Sequence, residues 1–418
     1  MNRRPTRHRL AYRPVLAVLL AGLLCEGLAG GDWPQLLGPS RNGVSSETGL
    51  ATSWTAQGPP VLWAREIGQG YSGPVVAGGR LILLHRLGDE EVVECLDAAS
   101  GKGHWKMAYP TAYQDAYGKG DGPRSTPLVA DQRVYTLGAE GTLHCLDLDS
   151  GKVIWKRALL KDYEVPPSFF GVGTSPLLEG DLLLINVGSK NAGIVAFDRE
   201  TGKEVWKATG QGASYSSPVA ATINGTRHVF FWTREGLVSL DPQRGTVRFS
   251  WPWRSRIAAS VNAATPVVVG DQLFLSACYG MGAVLLRVRP DGVDQVWKND
   301  ELGNHYDTSI QANGYLYGVD GRQDVPPKPR LRCLELKTGK VRWTQERFGC
   351  ASAVLADGHL IELTEDGDLV LIEATPDVYR EKARAHVLSK PCRAAIALAG
   401  GRLYGRDPHQ LVCWNLNK

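Results

Sequence analysis

Hydrophobic and polar positions in residues 125–158, STPLVADQRVYTLGAEGTLHCLDLDSGKVIWKRA, sort into four short apolar runs at Thr126–Ala130, Arg133–Leu137, Thr142–Leu146 and Val153–Arg157. Between them stand Asp, Gly, Ser and Lys clusters, the residue types that close β-turns. The pattern predicts a four-stranded antiparallel meander. So small a sheet cannot bury both faces alone, and must stack on copies of itself.

The copies are found by the end of the third strand, at residues 95–97, 145–147, 196–198, 239–241, 287–289, 333–335, 371–373 and 413–415. Four continue as Asp, three residues, Gly, three residues and an aromatic: Asp97/Gly101/Trp105, Asp147/Gly151/Trp155, Asp198/Gly202/Trp206 and Asp241/Gly245/Phe249. Glu335/Gly339/Trp343 repeats the spacing with Glu in first place, Trp297 survives behind a shortened turn, and the seventh copy has lost the pattern. Asp accepts turn amides, Gly takes a positive φ, and the aromatic fills the gap between neighbouring sheets. A period of roughly 40–50 residues is that of propeller blades. The eighth copy ends after its third strand, whereas Val61–Arg65 reads as a fourth strand without the three before it. The expected fold is therefore all-β: an eight-bladed propeller of four-stranded antiparallel blades over residues 61–418. Pairing of the N-terminal strand with the C-terminal blade closes the ring and removes free sheet edges.

The GlyLys-x-x-Trp turns and the small-residue-Pro starts at Ser72–Pro74, Ser125–Pro127, Thr174–Pro176, Ser216–Pro218 and Ala264–Pro266 resemble the pyrroloquinoline-quinone (PQQ)-like propeller repeat over residues 61–418. Families that share it include quinoprotein alcohol dehydrogenases and the lipoprotein subunit of the outer-membrane protein assembly machine. The second resemblance implies peptide or β-strand partners. The stretch TrpProGln-x-x-GlyProSerArgAsnGly from Trp33 also resembles secreted bacterial propellers of this superfamily. The repeat itself is a packing device and does not imply a cofactor.

Residues 30–60 lack periodicity and are rich in Gly, Pro and Ser, yet carry Trp33 and Trp54, so an irregular arm packed on the propeller is expected. Ahead of it, Arg3, Arg4, Arg7, Arg9 and Arg13 precede the apolar run Val15–Leu24 and the small residues near Ala29. Residues 1–29 read as an export signal peptide. An uncleaved anchor and lipidation at Cys25 are the alternatives, although Leu24 stands where a small residue would precede a lipidated cysteine.

Removing that segment leaves 42 of the 47 basic and 42 of the 43 acidic residues, so the chain is close to neutral. No basic surface supports nucleic-acid binding. At most peripheral membrane association is expected, with a periplasmic or cell-envelope location. Seven cysteines remain, an odd number for an oxidising compartment. Cys95, Cys145, Cys333 and Cys413 share one strand position and read as small core fillers. Cys350 and Cys392 precede adjacent inner strands, where a disulfide is a minor alternative.

In such a meander the turns Ala130–Arg133 and Asp147–Lys152 share one face, where turns are short and repetitive. The connections on the other face, Tyr109–Arg124, Leu159–Gly173, Trp251–Ala263, Asn299–Asp307 and Asp320–Arg330, are long and dissimilar. Function on a regular scaffold is usually placed in such loops. Residues just before the inner strands should ring the channel mouth, which nominates Tyr71, Arg124, Tyr215, Asn262, His305, Tyr306, Asp307 and Arg393. They suit a small polar or anionic ligand or a peptide, or else pair among themselves to hold blades together.

No nucleophile can be assigned beside His305 and Asp307. Asn224–Thr226 matches a glycosylation sequon but reads as a hairpin turn, and Glu365–Asp368 as a turn between strands. The quinoprotein resemblance implies a quinone stacked between a tryptophan and a ring of two adjacent disulfide-bonded cysteines, with calcium beside a catalytic Asp. This sequence has no adjacent cysteine pair. Asp307 with Asn304 or Asn262 offers few oxygen ligands to calcium. The expected function is an exported, non-catalytic binding or scaffold propeller that presents a loop-rich face to a protein or small polar ligand. A PQQ- and calcium-dependent alcohol dehydrogenase-like oxidoreductase is the alternative.

Overall fold

The computed structural model describes Met1, residues 31–166 and residues 169–418. The expected export segment, apart from Met1, and Cys25 lie outside the described residues. Eight four-stranded antiparallel sheets stand as blades over residues 75–110, 128–158, 177–208, 219–252, 267–299, 310–345, 351–386 and 397–415. The eighth has three strands of its own and takes Val61–Glu66 as its outer strand, with Trp63 opposite Cys413 and Glu66 opposite Gln410. Both ends of the propeller thus share one blade. A single helical turn, Leu159–Asp162, follows the second blade.

Burial follows position in the blade. The two middle strands are buried on both faces, as in Leu143–Leu146, because each sheet is packed between two others. Outer strands such as Val61–Glu66 and Gly103–Pro110 alternate exposed with half-buried positions. Cys95, Cys145, Cys333 and Cys413 are fully buried and packed among apolar neighbours. Cys350 and Cys392 are free buried thiols.

The repeated tryptophan reaches across to the following blade. Trp105 Nε1–H donates to Leu148 O at 2.8 Å, Trp155 to Arg199 O at 3.0 Å, Trp206 to Pro242 O at 3.0 Å, and Trp63 joins the last blade to the first through Ala98 O at 3.1 Å. The conserved spacing of the turn glycine has a second cause here. Gly151 takes φ +69°, and any Cβ on it would lie 2.5 Å from Cε3 of Trp105. Each turn glycine is the floor on which the preceding blade's indole rests. The Asp of the turn acts as expected: Asp147 Oδ1 accepts the Ser150 N–H and hydroxyl.

The small-residue-Pro starts have their own task. Thr126 Oγ1 accepts the Gly73 N–H (3.2 Å), Ser175 Oγ the Thr126 N–H (2.9 Å), Ser217 Oγ the Ser175 N–H (2.9 Å) and Thr308 Oγ1 the Thr265 N–H (2.9 Å). Amides two residues ahead of an inner strand, with no ladder partner, are satisfied by a hydroxyl of the next blade.

Residues 31–60 form no regular strand and run along the short-turn face. Trp33, 2% exposed, pairs through its backbone with Val76 of the first blade, and Val129 N–H of the second donates to Pro34 O. Further on, Val44 bridges to Leu355 of the seventh blade, and Glu47 accepts the amides of Gly400 and Gly401 in the eighth. The contacts pass from the first three blades to the sixth, seventh and eighth, so the segment crosses the ring.

Candidate functional site

A central funnel of about 370 Å³ opens on the long-loop face. Tyr71, Arg124, Tyr215, His305, Tyr306, Asp307 and Arg393 line it. Asn262 does not line it. Its Nδ2 donates to Thr233 O (2.9 Å) and its carbonyl accepts the amides of Tyr215 and Ser216, so Asn262 braces the residues before the fourth blade.

Each wall guanidinium is stacked on a ring and backed by a carboxylate. Arg124 lies 5.6 Å from the Tyr71 ring centroid and Arg393 lies 5.3 Å from it, so one tyrosine contacts two cations. Arg124 Nη2 donates to Asp115 Oδ2 at 2.7 Å, and Arg393 donates through Nε and Nη2 to Glu365 Oε1 at 3.0 and 2.7 Å. Glu365 also accepts the Tyr306 hydroxyl at 2.5 Å. Arg322 sits 4.5 Å from the Tyr279 ring and pairs with Asp324 through two bonds, at 3.0 and 2.7 Å. The carboxylates of Asp115 and Glu365 are buried behind their arginines, with side chains 0% and 7% exposed against 13% and 23%. At Arg124 and Arg393 a molecule in the funnel therefore meets N–H donors first, whereas Asp324 lines the funnel beside Arg322. Lys119 lines the same wall without a carboxylate partner among the described residues.

Glu365 was hidden in the sequence by its neighbours. Glu365–Asp368 is a turn between strands, as its composition suggests, but that turn emerges on the long-loop face and turns Glu365 inward. Leu36 and Leu37 of the arm also line the funnel, and nothing periodic around them could have announced it.

His305 and Asp307 do not work as a pair. His305 Nε2 faces the Tyr279 hydroxyl at 3.3 Å and its Nδ1 faces the Gln323 amide at 3.4 Å, while burial pushes its pKa down to about 4. It is a neutral imidazole at physiological pH. Asp307 is 7% exposed; Asn304 Nδ2 donates to its Oδ2 at 3.1 Å, Oδ1 has no hydrogen-bond partner, and burial raises its pKa to about 6. Burial likewise raises buried Glu362 to about 8, with the Asp307 charge adding to the effect.

The quinone and calcium arrangement implied by the dehydrogenase resemblance does not fit these residues. The funnel walls carry tyrosine and phenylalanine but no tryptophan among the described residues, and Cys278, Cys350 and Cys392 are separate buried thiols. Asn304 turns its nitrogen, not its oxygen, toward Asp307, and its oxygen accepts the Ser309 hydroxyl at 2.9 Å. An amide so engaged does not join Asp307 as a second oxygen ligand.

The family model described as outer membrane protein assembly factor BamB matches residues 88–345, more than half of the sequence. The chain belongs to this family. Among solved structures, BamB from Moraxella catarrhalis is 16% identical with a TM-score of 0.62, covering 85% of this chain and 97% of that one. The quinohemoprotein alcohol dehydrogenase from Comamonas testosteroni is 14% identical with a TM-score of 0.68, covering 92% and 80%. A computationally designed protein, Ika8, is 9% identical with a TM-score of 0.60, covering 86% and 100%. At such identities these likenesses show the propeller alone. No curated protein matches the chain. BamB-family membership and a fold shared with a dehydrogenase and a designed protein leave function to the site.

Proposed function

We propose that this BamB-family propeller is an exported, non-catalytic binding or scaffold protein of the cell envelope, which presents its long-loop face to a protein partner or small polar ligand. The observation that carries the reading is the funnel wall. Its Arg124 and Arg393 guanidiniums are fixed in place by a stacked ring and by buried carboxylates, so a rigid, donor-rich surface is held ready without reorganisation. A fixed donor surface suits recognition of acceptor groups. Covalent catalysis would need a nucleophile within hydrogen-bond reach of a base, and His305 faces the Tyr279 hydroxyl and the Gln323 amide, while Asp307 is held through Oδ2 by Asn304.

The test is affinity capture from envelope extracts with the exported form of the chain. Arg124→Ala combined with Tyr306→Ala should remove captured partners; a capture pattern unchanged from the wild type refutes the surface. Titration with PQQ and calcium checks the oxidoreductase reading: saturable quinone binding with dye-linked alcohol oxidation, abolished in Asp307→Ala, would overturn the proposal.

A further inference from the structure

The funnel is blind, and the arm is what closes it. Residues 33–43 fold into a compact loop: Gly38 N–H donates to Gln35 O at 3.0 Å, Arg41 N–H to Gly38 O at 3.0 Å and Gly43 N–H to Leu37 O at 2.9 Å. Trp33 lies on Gly38, where a Cβ would come 2.8 Å from Cζ3 of the indole. Arg41, 5% exposed, donates from Nη1 to Pro176 O at 2.6 Å in the third blade. Two residues on, Gly43 packs against Ile310 of the sixth blade, across the ring. The loop therefore spans the channel, and it turns Leu36 and Leu37 into the funnel.

Leu37 reaches that place in an unfavoured conformation. Its φ is +60°, which costs a branched L-residue about 1–2 kcal/mol. A backbone strained at a ligand-facing position is held by its surroundings and points to a role for the side chain. The funnel is thus layered. Donors and aromatic rings form the rim, small residues such as Thr126, Ser175 and Ala395 form the waist, and two leucines form the floor. Its volume sits near the lower end of the ~300–1,000 Å³ typical of small-molecule sites.

We infer that the arm-sealed funnel is a site for a small amphipathic anion, with an aryl or branched alkyl end on Leu36 and Leu37 and an acidic head at Lys119, Arg124 and Arg393. This rests on the long-loop face being the binding face. Charge supports the head: Asp115 and Glu365 lie behind Arg124 and Arg393 and outside the lining, and Lys119 adds a cation with no carboxylate partner among the described residues, so Lys119, Arg124, Arg322 and Arg393 outnumber the two lining carboxylates, Asp307 and Asp324. Shape supports the tail, because Leu36 and Leu37 come from the arm on the short-turn face and so close the end of the funnel opposite its long-loop mouth.

The probe is 8-anilinonaphthalene-1-sulfonate, an aryl anion whose fluorescence rises in apolar surroundings, titrated into the folded chain. One saturable site is expected. Leu37→Gly, which relieves the positive φ while deleting floor surface, should weaken binding about tenfold. Leu36→Trp should block the site. The uncharged N-phenyl-1-naphthylamine should bind more weakly than the sulfonate, and the difference should shrink in Lys119→Ala. The inference is overturned if no saturable site appears, if both floor variants bind as the wild type does, or if the uncharged probe binds equally well. The probe needs no protein partner, so failure to capture one leaves this result standing. Intact capture with no probe site overturns the funnel assignment alone.

Discussion

Replacing Gly151 with Ala tests the claim that the repeat glycine is a platform for the neighbouring indole as well as a turn residue. Two costs should add. The left-handed conformation at φ +69° costs an alanine about 1–2 kcal/mol. The new Cβ would stand 2.5 and 2.6 Å from Cε3 and Cδ2 of Trp105, so the indole must move. Its movement breaks the 2.8 Å bond from Nε1 to Leu148 O and leaves a part-buried donor and acceptor unpaired, worth about 1–3 kcal/mol. The expected loss is about 2–5 kcal/mol, before any loss of packing. Gly225→Ala supplies the control: its φ is +76°, but nothing lies within 4 Å of the added Cβ, so only the backbone cost of about 1–2 kcal/mol applies. Guanidinium unfolding followed by circular dichroism gives midpoint and slope for both variants. Gly151→Ala should unfold at clearly lower denaturant with an unchanged slope. Equal midpoints for the two variants would refute the platform and leave the glycine as a turn residue only.

Arg41→Ala removes the guanidinium that ties the arm to the third blade, so limited proteolysis should cut within residues 31–60 at least several-fold faster, while the circular dichroism of the blades stays unchanged. Glu362→Gln should change how stability depends on pH. Burial raises Glu362 to about 8, so the folded state holds a proton that the unfolded chain has released, and stability falls as pH rises from about 4.5 through 8. Between pH 6.5 and 9 the wild-type midpoint should decline and the variant's should stay flatter, by up to a few kcal/mol at about 1.4 kcal/mol per unit. His85, His144 and His305 act with opposite sign. Burial lowers them to about 3, 4 and 4, so the stability they lend is lost as pH falls below about 6.5 and they leave the alkaline window clean.

The fold was legible because its local rules repeat. Asp147, Gly151 and Trp155 lie within nine consecutive residues, and the turn that they make is largely a local event. Ring closure was legible from an imbalance, a fourth strand at Val61 without its blade and a final blade without its fourth strand. The partner of each indole was not legible, because Trp105 and Leu148 are 43 residues apart and only stacking brings them together. For the same reason, the Gly151 spacing reads in the sequence as a turn signal and in the structure also as an absence of side chain.

The funnel shows where such reasoning stops. A residue just before an inner strand must lie near the channel mouth, so Tyr71, Arg124 and Arg393 could be placed by counting along the repeat. Counting gives no direction for a side chain, and Asn262, chosen by the same rule, turns its amide to Thr233. Glu365 and Asp115 escaped because they hold the site from behind, in segments whose composition is that of ordinary turns and loops. Leu36 and Leu37 escaped for a stronger reason. They belong to a segment outside the repeat, with no blade to count from, and their position is set by anchors at Val76, Pro176 and Leu355, each far away in sequence. The blades alone would make a ring with an open axis. What makes the axis a pocket is a nonrepeating segment that lies on the face opposite the long loops and reaches through to them. The proposed binding face is therefore built from both sides of the propeller, and a variant confined to the long loops can test only its rim.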